Sequence, residues 1–294
     1  MIFFWQMVLS GIMLGGVYSL VALGFVIIYK STGVINFAQG QLLTIGAMVL
    51  WSFLVPLSLP FWAACLLSLG CMAIVGMLIE RFCIRPMTGQ PIMAVVVMTI
   101  GLSTFLDSLI PSVFGGVERA YPPLFPGGGI FFMGLSASYE YLLSFIMAIL
   151  LVFIFLYFFH YTRKGIIMRA VADGHDIARS CGVRVGSIFS LSWVIACVSV
   201  TIGGFLLGSI ESVTPALSSV AMLVFPVVIL GGLDSVRGCI IAGPIVGAVQ
   251  MLAIAYIDPI TEGGAGDVIP YIIILLTLIF RPHGIFGQAH IERI

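Results

Sequence analysis

Two short stretches put amides, glycines and an acid where an apolar helix should continue. In the first, Ser31-Thr-Gly-Val-Ile-Asn-Phe-Ala-Gln-Gly-Gln41, the residues Asn36, Gln39 and Gly40 fall at i, i+3 and i+4. That spacing puts them on one face of a helix, with Gln41 beside them. Amides in apolar surroundings need partners or a wet cavity, so their chemistry is solute recognition rather than bond making. A simple turn between helices explains the same residues equally well. The second stretch runs from Phe225 through Pro226, Gly231, Gly232 and Asp234 to Gly238. Pro226 removes a backbone donor, and the glycine pair ends or bends the helix. Asp234 precedes Gly238 by four, as Asn36 precedes Gly40, a weak echo between the two halves of the chain. Interrupted segments in corresponding positions are the sequence mark of a transporter's central site. Glu211 follows a glycine-rich span and precedes Pro215, which suits an outer gate.

Bond-making chemistry has no such foothold. The run Gly24 to Ser31 has Tyr29 where a phosphate-wrapping loop needs its second glycine, so it binds no ATP in that way. There is no G-x-S-x-G and no H-E-x-x-H. The four histidines show no ligand spacing, and none of the six cysteines forms a C-x-x-C pair. The expectation is no enzyme activity, no cofactor and no metal. Twelve basic residues balance twelve acidic ones, so nucleic acid is not an expected partner.

A third stretch reads as a docking element. Within 160–186, Asp173 and Asp176 are placed to start a short helix, where acids complement the dipole. Ile177, Ala178 and Cys181 then make a small apolar face, and Gly182 ends the turn. A helix lying on the membrane surface is one reading. A helix seated in a groove of a partner protein fits better, because the face is small and flanked by charge.

The elements that carry these residues must lie in a bilayer. The chain is 61% hydrophobic and only 8% charged, with a mean hydropathy of +1.23. At 294 residues a soluble fold cannot hide so much apolar surface. Apolar segments near 4–29, 36–55, 60–79, 92–110, 139–159, 187–210, 217–232, 239–256 and 268–280 predict an all-α, polytopic bundle of about 8–10 membrane segments in one permease domain over 1–294. With the amino terminus outside, Lys30, Arg81, Arg85, Arg163, Lys164, Arg169, Arg179, Arg184, Arg237, Arg281 and Arg293 all fall inside, and only Arg119 falls outside. The carboxyl terminus is then inside, the Pro- and Gly-rich loop 111–138 is external, and the charged loop 160–186 is cytoplasmic. Small residues recur every four positions at Gly11, Gly15 and Ser19, at Ser199 and Gly203, at Gly204 and Gly208, and at Gly243 and Gly247, which predicts close helix packing.

Five motifs in order carry a resemblance. They are Gly33-Val-Ile-Asn-Phe-Ala-Gln-Gly40 with Gly46-Ala47, Glu80-Arg-Phe-Cys-Ile-Arg-Pro86, Arg169-Ala-Val-Ala-Asp173 through Ala178 and Gly182-Val183, Leu230 to Gly238, and Arg281-Pro-His-Gly-Ile-Phe-Gly287. The chain resembles the permease subunits of branched-chain amino acid ABC importers, of the LivH-like type. It departs from that pattern at Gln41, where the family often has an acid, and at Asp234, where glycine is usual.

The resemblance implies a multi-pass protein of the bacterial inner membrane that works in an assembly. Its partners would be a second permease subunit (a relative or a second copy), cytoplasmic ATP-binding subunits and a periplasmic or extracellular substrate-binding protein. Asn36, Gln39, Gly40, Gln41, Glu211, Pro226, Gly231, Gly232 and Asp234 would belong to the substrate pathway. Arg169, Asp173, Asp176, Ile177, Ala178 and Gly182 would couple it to the ATPase. The cargo would be a branched-chain or other hydrophobic amino acid, with urea, amides and aromatic or other organic acids as the family's alternatives. An ion-coupled secondary transporter is the rival reading, and it would need acids in mid-span.

Overall fold

In a computed structural model the described residues are 1–123, 125, 127–132, 134–281 and 283–287. Pro126, Pro282 and Arg293 lie outside them. The helices follow the apolar segments closely. They are α1 (Ile2–Thr32), α2 (Gln39–Leu54), α3 (Phe61–Ile79), α4 (Ile92–Phe114), α5 (Tyr139–Tyr161), α6 (Arg163–Asp173), α7 (His175–Ser180), α8 (Val185–Ile210), α9 (Val220–Gly231), α10 (Val236–Tyr256), α11 (Asp258–Thr261) and α12 (Ala265–Phe280). A small antiparallel hairpin, β1 (Gly129–Phe132) with β2 (Leu135–Ser138), precedes α5. Its register pairs Gly129 with Ser138 and Phe132 with Leu135.

Among the described residues, six helices are long and apolar enough to cross a membrane, and three shorter apolar helices (Gln39–Leu54, Pro215–Gly231 and Ala265–Phe280) complete the set of nine segments. The protein is therefore an all-α, multi-pass membrane bundle. At 1.5 Å per residue, the 16 residues of α2 give roughly 24 Å, against a hydrocarbon core of about 30 Å. The 31-residue α1 is longer than the core.

The chain divides into two compact units. The first comprises Met1–Val26, Phe125–Val152 and Met222–Ile294. Here the small-residue stripe of α1 meets that of α10. A β-carbon on Gly11 would stand 2.5 Å from the Gly247 carbonyl oxygen, and one on Gly15 would stand 2.7 Å from the Pro244 Cα. Ser19 Oγ donates to the Cys239 carbonyl at 3.1 Å. The close packing expected from Gly11, Gly15, Ser19, Gly243 and Gly247 is what forms, because small residues let two helix backbones approach. At the other end of α1, Gln6 exchanges hydrogen bonds with the Ser136 backbone and so fastens the hairpin. Asp258 Oδ1 accepts from the Ala265 and Gly266 N–H groups at 2.6 and 3.2 Å and caps α12.

The second unit comprises Ile27–Leu124 and Phe153–Ala221. Its centre is α8, which α2 and α3 both flank. Gly46 of α2 sits against Thr201, Gly204 of α8 sits against the Leu43 carbonyl, and Gly76 of α3 sits against the Trp193 carbonyl. Trp193 is fully buried as a result.

The 163–184 stretch corrects one expectation. Asp173 does not start the docking helix: it ends α6, an 11-residue helix the sequence reading passed over. Thr162 caps α6 by accepting from the Gly165 N–H at 3.1 Å. Gly174 then separates α6 from α7, which begins at His175.

Candidate functional site

The first polar stretch folds as the entry to α2. Ala38 N–H donates to Asn36 Oδ1 at 3.1 Å, and Asn36 Nδ2 donates to Gln39 Oε1 at 2.8 Å. Asn36, Gln39 and Gly40 are all buried. The two amides thus share a contact at the spacing that placed them on one face. Gly40 is needed there because a β-carbon would overlap the Ser218 carbonyl and reach 2.7 Å from the Ala221 Cβ. Ser218 lies in the one-and-a-half-turn 3-10 helix Pro215–Ser219 that leads into α9. Gln41 is partly buried, and its Oε1 has no partner among the described residues. Glu211 is exposed at the carboxyl end of α8.

The second polar stretch folds as the passage from α9 to α10. Pro226 is inside α9, which ends at Gly231, and Gly232 adopts a φ of +102°. The segment 283–287 docks on this end: Ile285 N–H donates to the Leu230 carbonyl at 2.8 Å and Phe286 N–H to the Gly231 carbonyl at 3.3 Å. Two carbonyls that a helix end leaves open are satisfied in this way. Gly232 faces the Gly287 backbone, where a β-carbon would lie 2.6 Å from the amide nitrogen. Asp234 precedes α10, whose cap is Ser235, with Oγ accepting from the Gly238 N–H at 3.1 Å. Gly238 in turn abuts the Gly231 backbone. The echo between Asn36–Gly40 and Asp234–Gly238 has a structural counterpart. Each pair opens a helix, and each glycine admits a neighbouring carbonyl.

The coupling candidates divide. Arg169 is turned inward, with Nη2 donating to the His160 carbonyl at 3.2 Å near the end of α5. Ile177 is 73% exposed, whereas Ala178, one position on, is buried. Successive helical residues point about 100° apart, so the expected apolar face is split between inside and outside. Gly182, at φ +82°, closes the segment, with its N–H donating to the Arg179 carbonyl at 2.9 Å. The side chains of Asp173 and Asp176 lie outside the described residues.

Sequence reasoning passed over two further constellations. Glu80 is 0% exposed, and Arg85 grips its carboxylate through Nε at 3.1 Å and Nη2 at 2.9 Å. Ser190 donates to the same carboxylate, and Arg85 also donates to Ser190 Oγ at 3.0 Å. This clamp holds the π-helical turn Glu80–Ile84, which follows α3, against the start of α8, just beyond α7. The motif Glu80 to Pro86 was visible, but Ser190 is 110 residues away. The other constellation fastens the segment 119–121. The Arg119 guanidinium lies 4.1 Å from the Trp51 ring, Trp51 Nε1 donates to the Ala120 carbonyl at 3.0 Å, and Tyr121 donates its hydroxyl to the Ala47 carbonyl at 2.8 Å. Burial pushes the Tyr121 phenol up, so it remains a donor throughout the physiological range. Among the described residues, no group of three or more His, Cys, Asp or Glu is placed to hold a metal.

Apolar helices too numerous for a soluble core, with polar breaks at the starts of α2 and α10, define a multi-pass membrane protein. Residues 7–278 match the family described as the branched-chain amino acid transport system permease component, and the chain belongs to that family. It is similar to the high-affinity branched-chain amino acid transport system permease protein LivH of Salmonella typhimurium, with 29% identity over 100% of this chain and 98% of LivH. It is also similar to the corresponding BraD protein of Pseudomonas aeruginosa, at 28% identity over 98% of this chain and 97% of BraD. Among solved structures, PsaBC from Streptococcus pneumoniae in complex with Fab aligns over 94% of this chain and 92% of its own, with 14% identity and a TM-score of 0.48.

Proposed function

We propose that this chain is a translocation subunit of an ABC importer for branched-chain or other hydrophobic amino acids. The observation that carries the reading is the family match over 7–278, which takes in both polar breaks. The alignment with relatives named as high-affinity branched-chain amino acid transport permeases runs along nearly their whole length. The chain works in a bacterial inner membrane, with the amino terminus outside and α6 and α7 in the cytoplasm. It pairs with a second permease subunit, receives cargo from a binding protein and catalyses no reaction itself. ATP is hydrolysed on separate subunits.

In this reading Asn36, Gln39, Gly40 and Gln41 at the entry to α2 are pathway residues, as are Pro226, Gly231, Gly232 and Asp234 in the passage from α9 to α10, and Glu211 belongs to the outer side. The exposed Ile177 on α7 meets the ATPase, while Arg169, Asp173, Asp176, Ala178 and Gly182 set the shape of that contact. Alternating access follows if the outward- and inward-open states bind the ATP-closed ATPase dimer unequally. The test is to tag the chain, solubilise it gently from its native membranes and identify what copurifies by mass spectrometry. An ATPase and a second permease in stoichiometric amounts are expected. A chain that purifies alone overturns the assembly.

A further inference from the structure

The entry to α2 holds a buried donor that the fold leaves unused. Ala38 N–H occupies Asn36 Oδ1, so the other arm of Asn36 is its NH2. That arm donates to Gln39, so the receiving atom is Oε1. The remaining arm of Gln39 is therefore Nε2, a double donor. It has no acceptor among the described residues, in a side chain that is 0% exposed. A buried donor without a partner costs about 1–3 kcal/mol, so its retention needs a reason.

Its direction supplies one. Gln39 is the first residue of α2, and its bond to Asn36 turns the amide back past the helix end. The first-turn N–H groups of a helix emerge there with no partner inside it. Ala38 provides no side-chain cap at α2. The Gln39 N–H itself makes only a long bond of 3.4 Å to the Asn36 carbonyl. The first turn of α2 carries no acid. Gln39 Nε2 and the first-turn N–H groups are donors at the positive end of a helix 16 residues long, with Gln41 Oε1, an acceptor without a partner among the described residues, two residues on.

We propose that the amino-terminal end of α2 is a carboxylate-binding site, with Gln39 Nε2 as its side-chain donor. It takes the carboxylate of the cargo, and in this respect it rests on the amino-acid reading above. No cationic side chain stands in the first turn, which suits a singly charged carboxylate better than a phosphate. It also suits a carrier that must release what it binds. The site is closed in this conformation and opens with the pathway.

The test uses the full chain, purified with its accompanying membrane subunits, washed free of soluble binding protein and held in lipid nanodiscs. Binding of tritiated L-leucine is competed with 4-methylpentanoate, which keeps the carboxylate, and with 3-methylbutylamine, which keeps the ammonium. The carboxylate should compete and the amine should not. Gln39→Glu keeps the acceptor for Asn36 but loses the NH2. It should weaken leucine binding about tenfold or more and make the amine the better competitor. Gln39→Leu should weaken binding without that inversion, and it decides the matter if the Glu variant fails to fold. Unchanged leucine binding in the folded variants overturns the site, as does an amine that competes as well as the carboxylate on the unaltered chain. Leucine uptake that ignores Gln39 sinks the site and leaves the cargo standing. Gln39-dependent binding of 4-methylpentanoate without leucine binding does the reverse. Failure to bind either compound overturns the site.

Discussion

Arg85 closes on both carboxylate oxygens of Glu80, at 3.1 and 2.9 Å, although Glu80 is fully buried and Arg85 is 47% exposed. The pair joins the end of α3 to the start of α8, the helix around which its unit is packed. Removing the arginine alone strands a buried charge, which costs about 3 kcal/mol. Arg85→Ala should therefore lower the thermal midpoint of the solubilised protein by several degrees. Glu80→Gln with Arg85→Gln, which removes both charges, should recover most of that loss. Equal losses in the single and double variants would contradict the clamp.

The contact of Gly15 with Gly243 makes a second prediction, about packing. A methyl group on Gly243 would overlap Ser19 and the Gly15 carbonyl, so Gly243→Ala should destabilise by about 1–3 kcal/mol. Gly70 of α3 has no heavy atom within 4 Å of where its β-carbon would lie. Gly70→Ala should be neutral or stabilising. Thermal unfolding in one detergent, followed by tryptophan fluorescence, compares the two directly.

The apolar pattern marked the six helices long enough to span and the three shorter apolar ones, and the small-residue stripes on α1 and α10 pack closely, as expected of such stripes. Those features are periodic and local, so neighbouring residues carry them. The clamp was out of reach because Ser190 is remote from Glu80 in sequence, and nothing in the local pattern joins them. The helix α6 was hidden for a different reason. Its Thr162 cap is a common residue, and its charged sequence shows no apolar run to mark it. Of the residues proposed for the pathway, Asn36, Gln39 and Gly40 were grouped by spacing, and they lie together at the entry to α2. The orphaned arm of Gln39 follows only from the hydrogen bond to Asn36, which sequence does not display.

The segment 119–121 should hold less firmly without its anchors. Tyr121→Phe removes the bond to the Ala47 carbonyl and should cost about 1 kcal/mol. Trp51→Phe removes the bond to Ala120 and weakens the contact with Arg119, for a further 1–2 kcal/mol or about that. Limited proteolysis after Arg119 should be faster in both variants, and unchanged rates would contradict the fastening.

Coupling should depend on Ile177 more than on its neighbour. An exposed apolar anchor at a protein interface is worth about 2 kcal/mol or more, so Ile177→Asp should reduce ATP-driven uptake by roughly thirtyfold. Membrane insertion and leucine binding by the solubilised chain should be kept. Normal uptake by this variant would remove α7 from the ATPase contact.

The most direct test of the whole account is uptake by proteoliposomes holding the copurified complex. Tritiated L-leucine and its binding protein are supplied on one side, with ATP present or absent on the ATPase side. The account predicts accumulation that requires both ATP and the binding protein, and that stops when the ATPase subunit is inactivated. Leucine uptake by this chain alone, driven by an ion gradient and indifferent to ATP, would contradict it.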